Sequence, residues 1–448
     1  MATILYTSEE INVVFNSNIN KKLFFNKVAI DSREVSNRGI FFAIKGVNDD
    51  GHRYVKSVLK KKNNLAVISK KLKNPRLIKT QNTLESLINL ASYARQRSEA
   101  KIIAVTGSCG KTSLKNLLNS SLSRFGKTYC SPKSFNNHFG VPYSLANLSS
   151  DNKYGVFELG MSFKGEIDKL VNLVRPHIAI ITNIGPAHLE NFKNIHGICK
   201  AKAEIMNRIY QSGIIILNKD DKFFNSLKKI ADHKNIKILT FGFLKSDIQI
   251  IKSSAEVSFK IKDKIFNFKI KNLNKSYLYN VAATLCVHYY LNHNINILKD
   301  KFNNFKIPEG RGNEKNIKIK NKKILLVNES YNSNPVSLEE AINNFSLRKK
   351  NSHRKILIMG DMLELGQKSK YYHQQAAKIL NKTNIDKVFC VGSEVRYTYQ
   401  KLNYSKKGLL IKNISFLNQN IFKFLKNDDI LLVKSSNRIG LFNFFKKF

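Results

Sequence analysis

The sequence predicts an α/β fold in three domains, built on mostly parallel sheets. Three observations carry this. The chain has 448 residues, and at ~150 residues per domain that length corresponds to about three domains. Short apolar runs ending at or near glycine alternate with stretches of helical periodicity, which is the pattern of βαβ units. Residues 306–312, KIPEGRG, concentrate proline and glycine and mark a break between two such series. A hydrophobic fraction of 42% is enough for real cores and excludes disorder along the whole length.

The first domain is expected over residues 1–98. KVAIDSREV and GIFFAIKG read as strands, residues 55–62 as a helix, and LAVISKK (65–71) as another strand. Residues 83–97 place Leu84, Leu87, Ile88, Leu90, Ala91 and Ala94 on one helical face, giving a helix that links this domain to the next. The second domain, 99–309, opens with IIAVTG (102–107), an apolar run of the kind that forms a buried parallel strand. YGVFELG (154–160), IAIITNIG (178–185) and GIIILN (213–218) repeat the pattern with helices between. IQIIKSS, EVSFKIK and KIFNFKI, between 248 and 270, alternate as antiparallel hairpins do, and a helix follows at 276–291. In the third domain, 310–448, KILLVNE (323–329), KILIMGD (355–361), KVFCVG (387–392) and DILLVKS (429–435) again alternate with helices. KKLKNPRLIK (70–79) and NFFKKF (443–448) read as solvated charge.

Lysine and arginine number 76 against 32 acidic residues, a net charge of +44. Such a balance suits a polyanionic partner such as nucleic acid, an anionic membrane or phosphorylated substrates. It also suits simple compositional drift. Lys, Asn and Ile are abundant throughout, as in KNIKIKNKKI (315–324), and no Arg-rich arm stands out. Drift is the favoured reading, so no nucleic-acid partner is required and only weak attraction to anionic surfaces is expected. The five cysteines are scattered and never form a C-x-x-C pair, which fits a reducing compartment rather than a disulfide scaffold. No apolar run approaches the ~20 residues of a membrane span. MATILYTSEE lacks the basic and apolar regions of an export signal. A cytoplasmic monomer is expected.

IIAVTG runs into Gly107, Ser108, Cys109, Gly110, Lys111, Thr112 and Ser113, then into the helical SLKNLLNSSL. Strand, glycine turn, Lys-Thr and helix is the context of a phosphate-binding loop, here in the short G-x-x-G-K-T form. The glycines let backbone amides close around phosphate oxygens, and the helix N-terminus adds partial positive charge. Lys111 is placed to reach the β- and γ-phosphates and Thr112 to hold Mg²⁺. Glu158 ends the strand YGVFEL at the sheet edge where open α/β sheets bind ligands, and a carboxylate there suits an oxygen-preferring cation. His188 follows IAIITNIG in the loop GPAHLENF. On the residues alone, a structural hydrogen-bonding role and a ligand role stand level.

TGSCGKTS, FELGMSFKGEI, ITNIGPAHLENF and AKAEI resemble the Mur ligases, ATP-dependent amide-forming enzymes of peptidoglycan precursor synthesis, and the resemblance runs along nearly the whole chain. It implies a three-domain architecture with a central P-loop sheet and a Rossmann-like C-terminal domain. Asp31-Ser32-Arg33, Phe42-Ala43-Ile44-Lys45-Gly46 and Asp50-Gly51-His52 resemble the domain that holds a UDP-sugar, which assigns Ser32, Arg33, Lys45 and Gly46 to substrate. Asn136-Asn137, before Gly140-Val141-Pro142, resembles the family's substrate loop. ESYNSNPVSLEEA (329–341) and GDMLELG (360–366) resemble its third domain.

Within the family, Tyr331-Asn332-Ser333-Asn334-Pro335 is typical of the member that acts last, whose substrates are UDP-MurNAc-tripeptide and D-Ala-D-Ala. Sister amino-acid ligases and folylpolyglutamate synthases carry a His in that loop, and they remain the alternative. A nucleic-acid P-loop ATPase is the alternative from another class. The resemblance further implies that Lys111 and Thr112 act on phosphate and Mg²⁺, that Glu158 binds Mg²⁺, and that His188 binds a second Mg²⁺. Lys202 corresponds to a carbamylated lysine, with Lys200 competing for that role. Asn280 corresponds to an adenine contact, Arg311 to a nucleotide arginine, and Glu329 stands where a ribose-binding Asp is usual. The family's late Lys-Gly-Ser-Arg appears as Lys434-Ser435-Ser436-Asn437-Arg438.

Overall fold

A computed structural model describes residues 4–448 except 20, 254–256, 304, 320 and 349–352. Residues 1–3 of the N-terminal segment, Glu256 of EVSFKIK and Lys320 of KNIKIKNKKI lie outside the described residues. The described strands form three larger sheets that follow one another along the chain, and a short pair, Tyr6–Thr7 with Phe24–Phe25, precedes them.

The first of the three sheets has four parallel strands in sequence order, Lys27–Ala29, Gly39–Phe42, Leu65–Ile68 and Leu77–Lys79. The helix Thr83–Gln96 leads out of it, with Leu87, Leu90, Ala91 and Ala94 buried. The second sheet has nine strands. From one edge they run Thr128–Cys130, Tyr154–Glu158, Lys101–Thr106, Ile178–Ile181, Ile214–Asn218, Lys237–Gly242 and Ile248–Lys252, all parallel, and then Val257–Ile261 and Lys264–Asn267, both antiparallel. The alternation read from IQIIKSS, EVSFKIK and KIFNFKI is therefore that of a hairpin edge on an otherwise parallel sheet.

Continuous apolar runs form these central strands because both faces are covered. Ile103, Val105, Val156, Ile178, Ile180, Ile214 and Ile216 pack on one face with Leu114, Leu117 and Leu118 of the helix Lys111–Leu122 and Leu278, Val281 and Leu285 of Lys275–Tyr290. Ile102, Ala104, Phe157, Ala179, Ile181, Ile215 and Leu217 pack on the other with Leu170, Val171 and Val174 of Glu166–Val174. The period-2 alternation divides each strand between two cores.

The third sheet has six strands in the order Asn313–Ile319, Lys322–Glu329, Asp429–Lys434, Lys355–Gly360, Lys387–Val391 and Lys407–Ile411, parallel after the first pair. NFFKKF corrects the expectation of solvated charge. The helix Leu441–Phe445 buries Leu441, Phe444 and Phe445 against Phe422 and Leu431. Two consecutive aromatics outweigh the adjoining lysines, whose heads stay at the surface.

A partly buried relay ties the helices Lys111–Leu122 and Lys275–Tyr290 to the strand Tyr154–Glu158. His288 Nε2 lies 2.9 Å from Ser121 Oγ, the two Nδ1 atoms of His288 and His293 are 2.9 Å apart, and His293 Nε2 is 2.8 Å from Tyr154 OH. Phe125 stacks on His293 with ring centroids 4.0 Å apart. Burial, helped by the neighbouring His293, lowers the His288 pKa to about 3. An unfolded histidine titrates near ~6.5, so the unfolded chain takes up protons first. The stability His288 contributes is thus present above that pH and is lost as pH falls toward about 3. Urea unfolding between pH 6.5 and 5, above the range of most carboxylates, should show a falling unfolding free energy. In His288→Gln the slope should be clearly shallower, and an unchanged slope would place the acid sensitivity elsewhere.

Candidate active site

The site grows from the end of the strand Lys101–Thr106. Gly107 has φ +148 and lies so close to the next strand end that a Cβ would come within 1.9 Å of Thr182 Oγ1. Gly110, at φ +81, starts the helix Lys111–Leu122 and lies against the Asn280 amide. The loop between them is braced by the neighbouring strand end. Cys109 N donates to Asn183 Oδ1 at 2.9 Å, Thr182 Oγ1 donates to Cys109 O at 2.6 Å, and Ser108 Oγ donates to Gly185 O at 2.9 Å. Lys111 Nζ folds back to donate to Gly107 O at 2.7 Å, and burial lowers its pKa.

Below this loop sits the Glu158 carboxylate, 1% exposed. Thr112 Oγ1 donates to its Oε2 at 2.7 Å and Asn136 Nδ2 to its Oε1 at 2.8 Å, while Lys115 Nζ stands 4.0 Å from Oε2. The third sheet supplies the facing wall. Arg311 donates to Ser134 Oγ at 3.1 Å and lies over the Tyr331 ring at 4.3 Å. Lys434 Nζ is 3.4 Å from Glu329 Oε2 and donates to Asn332 O at 2.9 Å. Asn334 caps the helix Pro335–Leu347, accepting from Ser337 N at 2.9 Å, and its Nδ2 reaches Cys109 Sγ at 3.2 Å.

These groups line a cleft of about 300 Å³ that brings together Ser108, Cys109, Gly110, Lys111, Thr112, Ser113, Asn136, Glu158, His188, Asn280, Arg311, Glu329, Tyr331, Asn332 and Asn334. Lys202 is not in its lining. It is 1% exposed, and no carboxylate among the described residues lies within 4.0 Å of its ammonium. Burial and the Lys111 charge hold its pKa well below the ordinary amine value. Lys200, its competitor, is exposed.

Asn137 spends its oxygen on the backbone, accepting from Gly140 N at 2.9 Å, where the helix Gly140–Ala146 begins. Ser32, Arg33, Lys45 and Gly46 stand apart from the cleft, at the edge of the first sheet. Arg33 clasps Asp31 at 2.6 Å, and that hydrogen bond pulls the Asp31 pKa down to about 2. The same turn meets the Asn136 loop through Glu34, 3.2 Å from Lys133 Nζ. Arg438 is also outside the cleft lining, exposed, with Nη2 3.9 Å from Glu364 Oε1.

The sequence reading missed Lys115, Ser134 and Glu364. Lys115 had a signal, since it lies one helical turn beyond Lys111 and Thr112 on the same face. Ser134 and Glu364 had none, because their partners are distant in sequence.

A hydroxyl and a carboxylate are hard oxygen donors, and Mg²⁺ commonly takes one or two carboxylates and completes its shell with phosphate and water. Among the described residues no three His, Cys, Asp or Glu side chains form a dedicated cage. The donor set therefore fits Mg²⁺ arriving with a phosphate.

Residues 105–288 match the Mur ligase middle domain and residues 317–437 the glutamate ligase domain of Mur ligases. The UDP-N-acetylmuramoyl-tripeptide–D-alanyl-D-alanine ligase of Rickettsia prowazekii is 30% identical to this chain over 98% of each sequence. The chain belongs to the Mur ligases. The enzyme of the same description from Buchnera aphidicola (Acyrthosiphon pisum) is 34% identical to this Mur ligase, over 92% of this chain and 91% of its own. A crystal structure of MurF from Acinetobacter baumannii superposes with a TM-score of 0.84 at 25% identity, covering 99% of this chain and 98% of that one. A bifunctional folylpolyglutamate synthase/dihydrofolate synthase shares the fold, with a TM-score of 0.61 over 81% of this chain and 93% of its own. This Mur ligase is an ATP-dependent ligase.

Lys115 Nζ donates to Ser131 O at 2.6 Å and also to Lys133 O, so it fastens the loop carrying Ser134 and Asn136 to the phosphate-loop helix. Lys115→Met should leave those carbonyls and Glu158 short of a partner and lower the unfolding free energy by about 3 kcal/mol. Urea denaturation measures this, and a loss below ~0.5 kcal/mol would assign Lys115 no such role.

Proposed function

We propose that this Mur ligase joins D-alanyl-D-alanine to UDP-N-acetylmuramoyl-tripeptide, giving the UDP-MurNAc-pentapeptide, ADP and phosphate, in cytoplasmic peptidoglycan precursor synthesis. The observation that carries the reading is the Ser-Tyr-Asn-Ser-Asn-Pro loop seated against the phosphate loop, Asn334 on Cys109 and Tyr331 beneath Arg311. Relatives named for this reaction match from end to end. Residues 1–98 then form the UDP-sugar domain, 99–309 the ATP domain, and 310–448 the domain that binds D-Ala-D-Ala and closes on ATP.

A carboxylate does not form an amide at a useful rate because oxygen is a poor leaving group. The tripeptide's terminal carboxylate oxygen attacks the γ-phosphorus, ADP departs, and an acyl phosphate results. The amine of D-Ala-D-Ala then attacks the carbonyl carbon, and phosphate leaves through a tetrahedral intermediate. The first step brings two anions together. Lys111, released from the Gly107 carbonyl, and the helix N-terminus supply positive charge where it is needed. Thr112 and Glu158 would hold Mg²⁺, with His188 and Lys202 serving a second ion, and the metal supplies further charge neutralisation at the phosphates. Asn280, Arg311 and Glu329 take the nucleotide. Asn136 faces the sugar-peptide beside Glu158. Ser32, Arg33, Lys45 and Gly46 meet the anionic UDP, and Tyr331, Asn332 and Asn334 meet the incoming dipeptide.

Lys202 suits a carbamate, because only an unprotonated amine adds CO₂, releasing one proton and becoming an anionic oxygen ligand. Its burial, the absence of any carboxylate within 4.0 Å among the described residues and the Lys111 charge all favour the neutral amine.

ADP release measured with UDP-MurNAc-tripeptide should depend on D-Ala-D-Ala, and turnover indifferent to the dipeptide would overturn the assignment. Lys111→Ala should retain the fold by circular dichroism and lose ~10²–10³-fold in turnover. Lys202→Ala should lose most activity and recover part of it in acetate or propionate, which should not help Lys111→Ala. Lys200→Ala should be mild. Inactive Lys200→Ala beside active Lys202→Ala would identify the wrong lysine.

A further inference from the structure

We infer that Glu340 is a positioning residue for the nucleotide: from a helix packed on the third sheet it caps the helix Lys275–Tyr290 of the central sheet, and so sets the face that carries Asn280. The inference rests on the reading that Asn280 takes the nucleotide.

Ser276 N donates to Glu340 Oε1 at 2.7 Å. The donor stands in the first turn of a 16-residue helix, where backbone amides have no partner within the helix. Leu278 N returns to Asn274 O at 3.0 Å, which leaves Ser276 N outside the ladder. The side chain at the cap position ordinarily supplies the missing acceptor. That residue is Asn274, and its side chain makes no such bond. Glu340 therefore supplies from a distant segment what the helix's own cap does not. A carboxylate suits the place, since it meets both the amide and the partial positive charge of the helix start.

Glu340 reaches out from a rigid frame. Its helix, Pro335–Leu347, buries Leu338, Ala341, Ile342 and Phe345 with Val327, Leu357 and Leu432 of the third sheet. At the start of that helix Asn334 reaches Cys109 in the phosphate loop, and Glu340 follows ~9 Å further along the axis. One helix thus touches the phosphate loop at one point and the start of the Asn280 helix at another. Ser276 and Asn280 stand one turn apart on the same face, and both line the cleft with Glu340. The Asn280 amide lies against Gly110, where the phosphate-loop helix begins. A displaced helix start would carry Asn280 away from that place. Burial raises the pKa of Glu340 and the Ser276 hydrogen bond opposes the rise, so carboxylate and amide each depend on the other.

The test measures ADP binding and residue-resolved amide hydrogen exchange on the full chain, comparing wild type, Glu340→Ala, Glu340→Gln and Asn280→Ala. The Ser276 amide should be protected in the wild type. In Glu340→Ala it should exchange freely, and ADP should bind ~3–30-fold more weakly. Glu340→Gln, whose amide oxygen accepts the same hydrogen, should recover part of both. In turnover, the KM for ATP should rise in Glu340→Ala while kcat at saturating ATP stays near the wild-type value.

An unprotected Ser276 amide in the wild type overturns the inference, and that measurement does not depend on any variant folding. So does a folded Glu340→Ala with wild-type protection at Ser276. Lost protection with unchanged ADP affinity would make the contact structural only. Weaker ADP binding with protection intact would make Glu340 a direct contact of the nucleotide, and either result overturns positioning. Unchanged ADP affinity in Asn280→Ala would instead defeat the reading of Asn280 beneath it, while exchange at Ser276 would still report whether Glu340 caps the helix. ADP binding needs neither UDP-MurNAc-tripeptide nor D-Ala-D-Ala, so the result is separate from which amide the enzyme forms.

Discussion

Burying a carboxylate is costly unless its oxygens are paired, and the cleft is organised around how Glu158 meets that demand. Thr112 comes from the phosphate-loop helix, Asn136 from the loop between Thr128–Cys130 and Gly140–Ala146, and Glu158 itself from the end of a central strand. Each of its two oxygens accepts one of these donors, and Lys115 adds positive charge below. The group that orders this part of the cleft is also an oxygen donor suited to Mg²⁺, so the atoms that hold the loop in place are the ones proposed to serve the reaction.

The parallel sheet makes this possible. Strands that enter from one side leave their C-terminal ends on a common edge, and the loops that follow converge there. Gly107, Glu158 and Thr182 all stand at that edge, and the braces from Thr182, Asn183 and Gly185 to the phosphate loop follow from it. The C-terminal sheet presents its own C-terminal edge, with Glu329, Gly360 and Lys434 at strand ends. Two edges facing each other give a cleft lined by loops from both, rich in polar groups and narrow enough to bring Arg311 to Ser134.

Charge has a local meaning here that the total does not. Lys111, Lys115 and Lys202 are three lysines whose ammonium pKa is lowered by burial, all close to one carboxylate or one another. The lysines behind the net charge of +44 are spread along the whole chain, and a total of that kind speaks to solubility and non-specific attraction.

Much of this was legible in the residues themselves. Apolar runs such as IIAVTG and IAIITNIG require burial on both faces, which identifies parallel strands. Gly107 and Gly110 followed by Lys-Thr mark the loop in the sequence, and the structure gives these glycines φ +148 and +81, angles few other residues tolerate. Local chemistry determined these elements, so the sequence by itself determined the strands, the loop, Thr112 and Glu158. Tertiary structure decided what depends on distant segments meeting: Lys115 against the carbonyls of Ser131 and Lys133, Ser134 beneath Arg311, Asn334 on Cys109, and Glu364 on His188. It also decided which of Lys200 and Lys202 is buried, and it drew Phe444 and Phe445 inward from a stretch that reads as charged. The reason is physical. Periodicity reports whether a face is buried, but the partner across that face is chosen by packing between segments whose separation along the chain carries no signal.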